Sequence, residues 1–347
     1  MTAQTAEGLG TARPSALTWA GRQRVMIALI LLIAFGALRY DHFLGAYNVL
    51  SVLSYNSMFA LTSLGMCFVI MGAGIDLSVG TTAAFASVVS AFLSPYGLFP
   101  GLFGGLAAGL VVGVINGFMV TRMNIQPFIA TLSGMLAASG SGLLLAQNQS
   151  VSVSYDTNFT WLGQGDLLGF PVPAWIAALA YVYGSVLLNY LSFGRYVLSI
   201  GGNEEAARLM GLPVDRVKFL TYVQSSVFAG LAGVILAAQF GAGQPAEGVG
   251  WELFSIAAVV VGGTLLTGGV GSVTTTLAGV LLLGLIAQFR ERPRLDQPQR
   301  LLAVGGAGRF SDGGRNGELR SGSPRHSLSL TACWIVRPGR SCQRLVN

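Results

Sequence analysis

The chain reads as long apolar runs separated by short polar interruptions. Nine runs approach the roughly 20 residues a helix needs to cross about 30 Å of hydrocarbon: 25–44, 49–71, 77–93, 98–120, 127–146, 172–191, 219–240, 253–266 and 273–289. Several are short or carry a mid-span glycine, so neighbouring spans are open to being broken or re-entrant. The pattern predicts an all-α polytopic integral membrane protein. Residues 1–24 form an N-terminal segment, 25–289 a transmembrane domain and 290–347 a tail.

Composition strengthens this reading. Only 10% of the 347 residues are charged and 52% are hydrophobic, against about 25% charged in a soluble domain. The 48 glycines follow no collagen-like period and suit membrane helices, where small residues let backbones approach. The apolar run after Arg13, Arg22 and Arg24 is followed by no small-residue cleavage site, so it is expected to stay as a first span.

Charge then gives an orientation. With the N-terminus on the cytoplasmic side, eight of the nine basic residues before position 290 fall inside, among them Arg122, Arg195, Arg208, Arg216 and Lys218, and only Arg39 falls outside. The outer loop 147–171 has Asp156 and Asp166 but no Lys or Arg. The trend breaks after the ninth span, where an Arg/Gly/Ser/Pro-rich stretch with 11 Arg and 4 acids begins at Arg290. Low-complexity text of this kind builds no packed core. The reading is an out-of-frame continuation from near Gln288 that replaces a tenth span, with a native basic tail as the alternative. Because the basicity is confined to this tail, no nucleic-acid partner is expected.

Inventory excludes most soluble-enzyme chemistry. Lys218 is the only lysine and follows Val217, so no Gly-Lys-Ser/Thr phosphate loop exists. The two histidines, His42 and His326, supply neither a zinc motif nor a Ser/His/Asp triad. Cys67, Cys333 and Cys342 suggest no disulfide framework or metal site. The chain is therefore expected to be no enzyme and to bind no cofactor or metal.

The inner loop GRYVLSIGGNEEAARLMGLPVDRVK, residues 194–218, has the marks of a short helix. Asn203 is a suitable N-cap, Glu204 and Glu205 lie in the first turn, Gly211 can close the helix and Pro213 stops it. Ala206, Leu209 and Met210 form an apolar stripe that suits a groove on another protein, or equally a membrane surface. The run Glu205-Ala206-Ala207, then Gly211 and Leu212-Pro213, resembles the EAA loop of binding-protein-dependent ABC importer permeases. That resemblance implies a coupling helix docked on a separate ATP-binding subunit, and assigns to it Asn203, Glu204, Glu205, Ala206, Ala207, Gly211 and Pro213.

A second feature, GAGIDLSVGTTAAF at 72–85, joins two spans. Asp76 is an acid between long apolar runs, where it either belongs to a solute path or caps the third span. Gly72, Gly74 and Gly80 would let the chain break, and Asp76 and Ser78 could cap the next helix. The string GIDLSVG, with NGFMVTRMNIQPFIATLSGM (116–135) and VVVGGTLLTGGVGSV (259–273), closely resembles the sugar-importing branch of these permeases, the ribose, xylose and galactose type. The likeness covers about 49–289, where the family would continue with a tenth helix.

That resemblance implies an inner-membrane permease subunit for a monosaccharide. Its partners would be an ATP-binding subunit that carries ATP and Mg, an extracytoplasmic sugar-binding protein, and a second identical or homologous permease. A branched-chain amino-acid permease is the nearest alternative, and an ion-coupled secondary transporter a more distant one. Path candidates are Asp76, Ser78, Asn56, Asn116 and Gln126, with Ser57, Ser133 and Gln224; for the six Asn, Gln and Ser residues within spans, joining helices is an equal alternative. Glu247 and Glu252, in an outer segment, are candidates for docking the binding protein, or are solvated loop charges. GIDLSVGTTAA and GGVGSVTTTLAG also share Ser-Val-x-Thr-Thr, which aligns Ser78 with Ser272 as a weak internal repeat in one orientation.

Overall fold

The computed structural model describes residues 16–40 and 43–295. His42, His326, Cys333, Cys342 and the expected tail beyond Leu295 lie outside the described residues. Among the described residues twelve α-helices follow in order: α1 (Ala16–Arg39), α2 (Ala46–Met71), α3 (Val79–Leu93), α4 (Leu98–Thr121), α5 (Pro127–Leu145), α6 (Trp161–Gln164), α7 (Val172–Asn189), α8 (Ser192–Gly202), α9 (Glu204–Leu209), α10 (Val214–Phe240), α11 (Trp251–Val261) and α12 (Val273–Leu295). Four two-residue strands, β1 (Val151–Ser152), β2 (Asp166–Leu167), β3 (Phe170–Pro171) and β4 (Ala242–Gly243), pair antiparallel as β1 with β4 and β2 with β3.

Six helices among the described residues are long and apolar enough to cross a membrane: α2, α3 with its 3-10 extension to Tyr96, α4, α5, α7 and α10. Two shorter apolar helices, in α11 and α12, fall on the expected runs 253–266 and 273–289, and the first of these is short for a physical reason. The run 253–266 is helical only to Val261, because Gly262 caps α11 and Gly263 turns at φ 90°. An 11-residue helix rises about 16 Å, half a bilayer core. The chain then continues without helix to Ser272, and within this stretch the Gly269 N–H reaches the carbonyl of Met71 at 3.0 Å. The α11 segment is therefore a broken span that returns to the end of α2.

Burial places α2 at the centre. Every residue from Asn56 to Met71 is buried, and the helix touches α7, α10, α11 and α12. Helices α4 and α5 are the least buried of the six. A close seam joins α4 to α10 through Gly105, Gly109, Gly113 and Gly117, four apart on one face of α4. A Cβ at Gly109 would lie 2.4 Å from the Ser226 carbonyl and 2.9 Å from Gly230 Cα. Small residues at this spacing let two helix backbones touch where lipid gives no hydrophobic drive between helices.

The two ends of the bundle are distinct. At one end lie the α2–α3 turn, α8 and α9. At the other, Phe289 of α12 stacks on Phe43 at 5.4 Å, and Gln288 donates to Asn48 at 2.8 Å. Helix α12 continues through Leu295, past the expected boundary at 289. Ser78 and Ser272 stand at matching places, since their carbonyls accept from the N–H of Thr82 (2.8 Å) and Thr276 (3.2 Å) and open α3 and α12 alike. The repeat noted in the sequence thus has a local structural counterpart.

Candidate functional site

Helix α9 is shaped by its caps. The Asn203 side chain accepts from the Ala206 N–H at 2.9 Å. At the other end Gly211 adopts φ 78°, its N–H bonds the Arg208 carbonyl at 3.0 Å, and the Leu212 N–H bonds the Ala207 carbonyl at 3.1 Å. This pair of bonds is a Schellman closure, which needs a left-handed residue at the Gly211 position. Pro213 then precedes α10. Helix α9 carries Leu209 at 90% and Met210 at 68% exposure, with Ala207 buried beneath.

Charges clamp α9 to the base of α10. Arg208 reaches Glu204 at 3.2 Å and Asp215 at 2.6 Å, and Lys218 pairs with the other oxygen of Glu204. Partial burial pushes the Glu204 carboxyl up, but Lys218 and then Arg208 outweigh it and hold it below the ordinary value. The hydrogen bond to Asp215 and that to Glu204 raise Arg208, against the pull of its slight burial. The clamp was only partly readable in advance: Glu204 and Arg208 are four apart on a helix, whereas Asp215 and Lys218 join them only through the turn at Gly211.

A buried polar hub lies at the same end. Asp76 is fully buried. Its Oδ1 accepts from the Ser78 N–H (3.0 Å) and Ser78 Oγ (2.7 Å), and its Oδ2 from Ser225 Oγ of α10 (2.9 Å). Asn116 Nδ2 of α4 donates to Ser78 Oγ at 2.8 Å, and Thr131 of α5 donates to the Ile75 carbonyl at 3.3 Å. One seven-residue turn, 72–78, thereby joins α3, α4, α5 and α10. Ser225, Tyr222 and Thr131 escaped the sequence reading, since nothing local marks a serine in α10 as the partner of an acid 149 residues away.

Details of this turn correct the expectation. Ser78 makes no side-chain cap bond to α3, because its hydroxyl is given to Asp76, and the capped N–H is that of Ser78 itself. The left-handed residue that ends α2 is Ala73, at φ 58°, not a glycine. Gly74 and Gly80 serve close approach instead: a Cβ there would lie 2.5 Å from the Tyr222 hydroxyl and 2.0 Å from the Gly248 carbonyl.

The remaining candidates separate. Asn56 is buried and donates to the Val52 carbonyl at 2.8 Å, and its Oδ1 faces Gly284, where a Cβ would come within 1.8 Å. Ser57 and Ser133 return their hydroxyls to their own helices at 2.6 and 2.7 Å, and Gln224 is half-buried. Gln126 is exposed just before α5. At the opposite end Glu247, Asp156 and Asp166 are exposed. Glu252 differs from its expectation as a surface acid: it is buried, and both its oxygens accept from the Gly250 N–H at 3.2 Å. Position in the first turn of α11 explains this, since a carboxylate there satisfies a free N–H and meets the positive end of the helix.

Comparison with known proteins agrees with this architecture. Residues 48–292 match the family described as the branched-chain amino acid transport system / permease component. The ribose import permease protein of Escherichia coli K12 is 36% identical over 291 residues, 82% of this chain and 90% of that one. The ribose import permease protein of Bacillus subtilis 168 is 40% identical over 74% of this chain and 81% of its own. The L-arabinose transport system permease protein of E. coli K12 is 39% identical over 66% and 70%. No solved structure matches. With a broken-span helical bundle, a doubly capped loop helix and a family match over most of its length, the chain belongs to the permease-component family of ABC importers.

Proposed function

We propose that the chain is one half of a dimeric pore that imports a monosaccharide across the inner membrane, driven by a separate ATP-binding subunit. The observation that carries this is α9: a short helix fixed at both ends and clamped to α10, which nevertheless presents Leu209 and Met210 to solvent. Large apolar side chains held outward on an ordered helix suit a groove on a partner. Sugar as the solute follows from the ribose and L-arabinose permeases it resembles, ahead of the branched-chain amino acids in the family's description.

Motion at α9 has a direct route inward. The ion pairs tie α9 to α10, and Ser225 of α10 ties it to Asp76 and thus to α3, α4 and α5. Asp76, Ser78 and Asn116 are positioning residues in this reading. The solute path is better served by α5, the least buried span, where Gln126, Ser133 and Ser141 are exposed at near-heptad spacing. Polar residues turned outward from a span need water or a partner rather than lipid. The second permease copy, identical or homologous, faces this side. The N-terminus lies in the cytoplasm with α9, and the acids Asp156, Asp166 and Glu247 meet the sugar-binding protein. ATP and Mg stay on the ATP-binding subunit, and no cofactor is held by this chain.

Tagged purification from native membranes, with mass spectrometry of what accompanies the chain, tests the reading. An ATP-binding cassette subunit should be recovered and should be lost with Leu209→Asp and Met210→Asp together. Uptake of labelled ribose and arabinose, set against leucine, then decides the solute. Recovery of the ATPase undiminished by both aspartates would refute α9 as its dock.

A further inference from the structure

Where α4 ends and α10 begins, the surface holds a groove of about 510 Å³ lined by Phe118, Thr121, Arg122, Asp215, Arg216, Phe219 and Leu220. Phe118 and Leu220 are about half exposed, at 52% and 50%. Arg122 and Arg216 are exposed. Among the described residues the ion pairs are those of Arg208 and Lys218, so neither arginine of the groove has a carboxylate. Asp215, the acid on its wall, is engaged by Arg208 at 2.6 Å. Two free guanidinium groups therefore stand above an apolar floor.

The surroundings select the occupant. From the groove, Phe118, Val114 and Leu110 continue up α4 as an exposed stripe. Eight residues of helix rise about 12 Å, close to half of a hydrocarbon core of about 30 Å. Basic pockets between helices at a membrane boundary hold lipid headgroups through charge, and guanidinium groups suit phosphate through paired hydrogen bonds. A free anion would have no use for the apolar track.

We infer that the Arg122–Arg216 groove is a binding site for an anionic phospholipid of the leaflet on the α9 side. The phosphate lies between the two arginines, and an acyl chain lies along Phe118, Val114 and Leu110. The inference needs only that α4 and α10 span a bilayer and is independent of which solute crosses. It also places a lipid next to Asp215, which the α9 clamp uses.

The test is native mass spectrometry of the full chain in mild detergent doped with equal amounts of phosphatidylglycerol and phosphatidylcholine. Phosphatidylglycerol should be retained in preference, and Arg122→Gln with Arg216→Gln should weaken its retention roughly 25-fold, about fivefold for each juxtamembrane charge. Arg122→Lys with Arg216→Lys keeps the charges and should retain the lipid, which separates loss of the site from loss of fold. Arg39→Gln, at the opposite end, should change nothing. Equal retention of the two lipids, unchanged retention in the double glutamine variant, an equal loss in Arg39→Gln, or displacement of the lipid by inorganic phosphate alone would each overturn the site.

Discussion

Asp76 offers the sharpest test, because removing its acceptor oxygens and removing only its charge should behave differently. Alanine removes the acceptor for the Ser78 N–H, the Ser78 hydroxyl and the Ser225 hydroxyl, in a place with no solvent exposure. The N–H cannot turn elsewhere and bears the full cost of an unmet buried donor, about 1–3 kcal/mol. The Ser225 hydroxyl can rotate toward a carbonyl of α10 and the Ser78 hydroxyl toward one in its own turn, at about 1 kcal/mol each. Asp76→Ala should therefore cost about 3–5 kcal/mol in all. Asparagine keeps Oδ1 for both Ser78 donors, and its amide donates to a Ser225 oxygen that reorients, for a cost of about 1 kcal/mol. Cys67, fully buried, gives the readout: with Cys333 and Cys342 replaced by serine, maleimide labelling on heating reports unfolding. The alanine midpoint should fall by about 10 °C and the asparagine midpoint by about 3 °C. Equal losses in both would show that the negative charge, not acceptor geometry, holds the hub, and no loss in alanine would show that the bonds do not matter.

Other outcomes follow from the same geometry. Gly109→Ala should lower the thermal midpoint by forcing α4 from α10, at about 1–3 kcal/mol for overpacking, whereas Gly140→Ala, where a Cβ would meet nothing within 4 Å, should be neutral or stabilising. The Glu204 pairing should show in the pH dependence of α9. Its carboxyl is held below the ordinary 4.5, so its contribution is complete above that value and is lost as pH falls through the lower, folded-state one. Amide exchange at Ala206 and Ala207, corrected for intrinsic rates, should hold as pH falls from neutrality to the ordinary carboxylate value of 4.5 and rise only below it. Glu204→Gln should flatten that profile, and a wild-type profile in that variant would refute the assignment.

What could be read in advance was whatever a local signal carries. The run of residues long enough to cross a bilayer located α2, α4, α5, α7 and α10 to within a few positions, and the Asn203 and Gly211 caps of α9 follow from residue chemistry alone. Helix α8 was not legible because its 11 residues, SFGRYVLSIGG, are too few for a span and carry three glycines. Glu252 looked like a surface acid because sequence does not show that its own helix start would enclose it. Ala73 took the left-handed position expected of a neighbouring glycine, since contact with Tyr222 and the close approach at Gly248 decided where the glycines were needed. Ser225 became legible only when α10 was laid beside the α2–α3 turn.

The capped state of α9 has a mechanical meaning. Six residues alone in water fall far short of a stable helix, yet here both termini are closed and ion pairs hold the flank. A partner that arrives finds the ledge already formed, so no ordering entropy is spent at contact and the association rate is not gated by folding. Stiffness also decides what a push delivers. A soft loop would absorb a displacement in its own torsions, whereas this one passes it to the foot of a 27-residue helix, as the short arm of a lever whose long arm reaches the far side of the membrane.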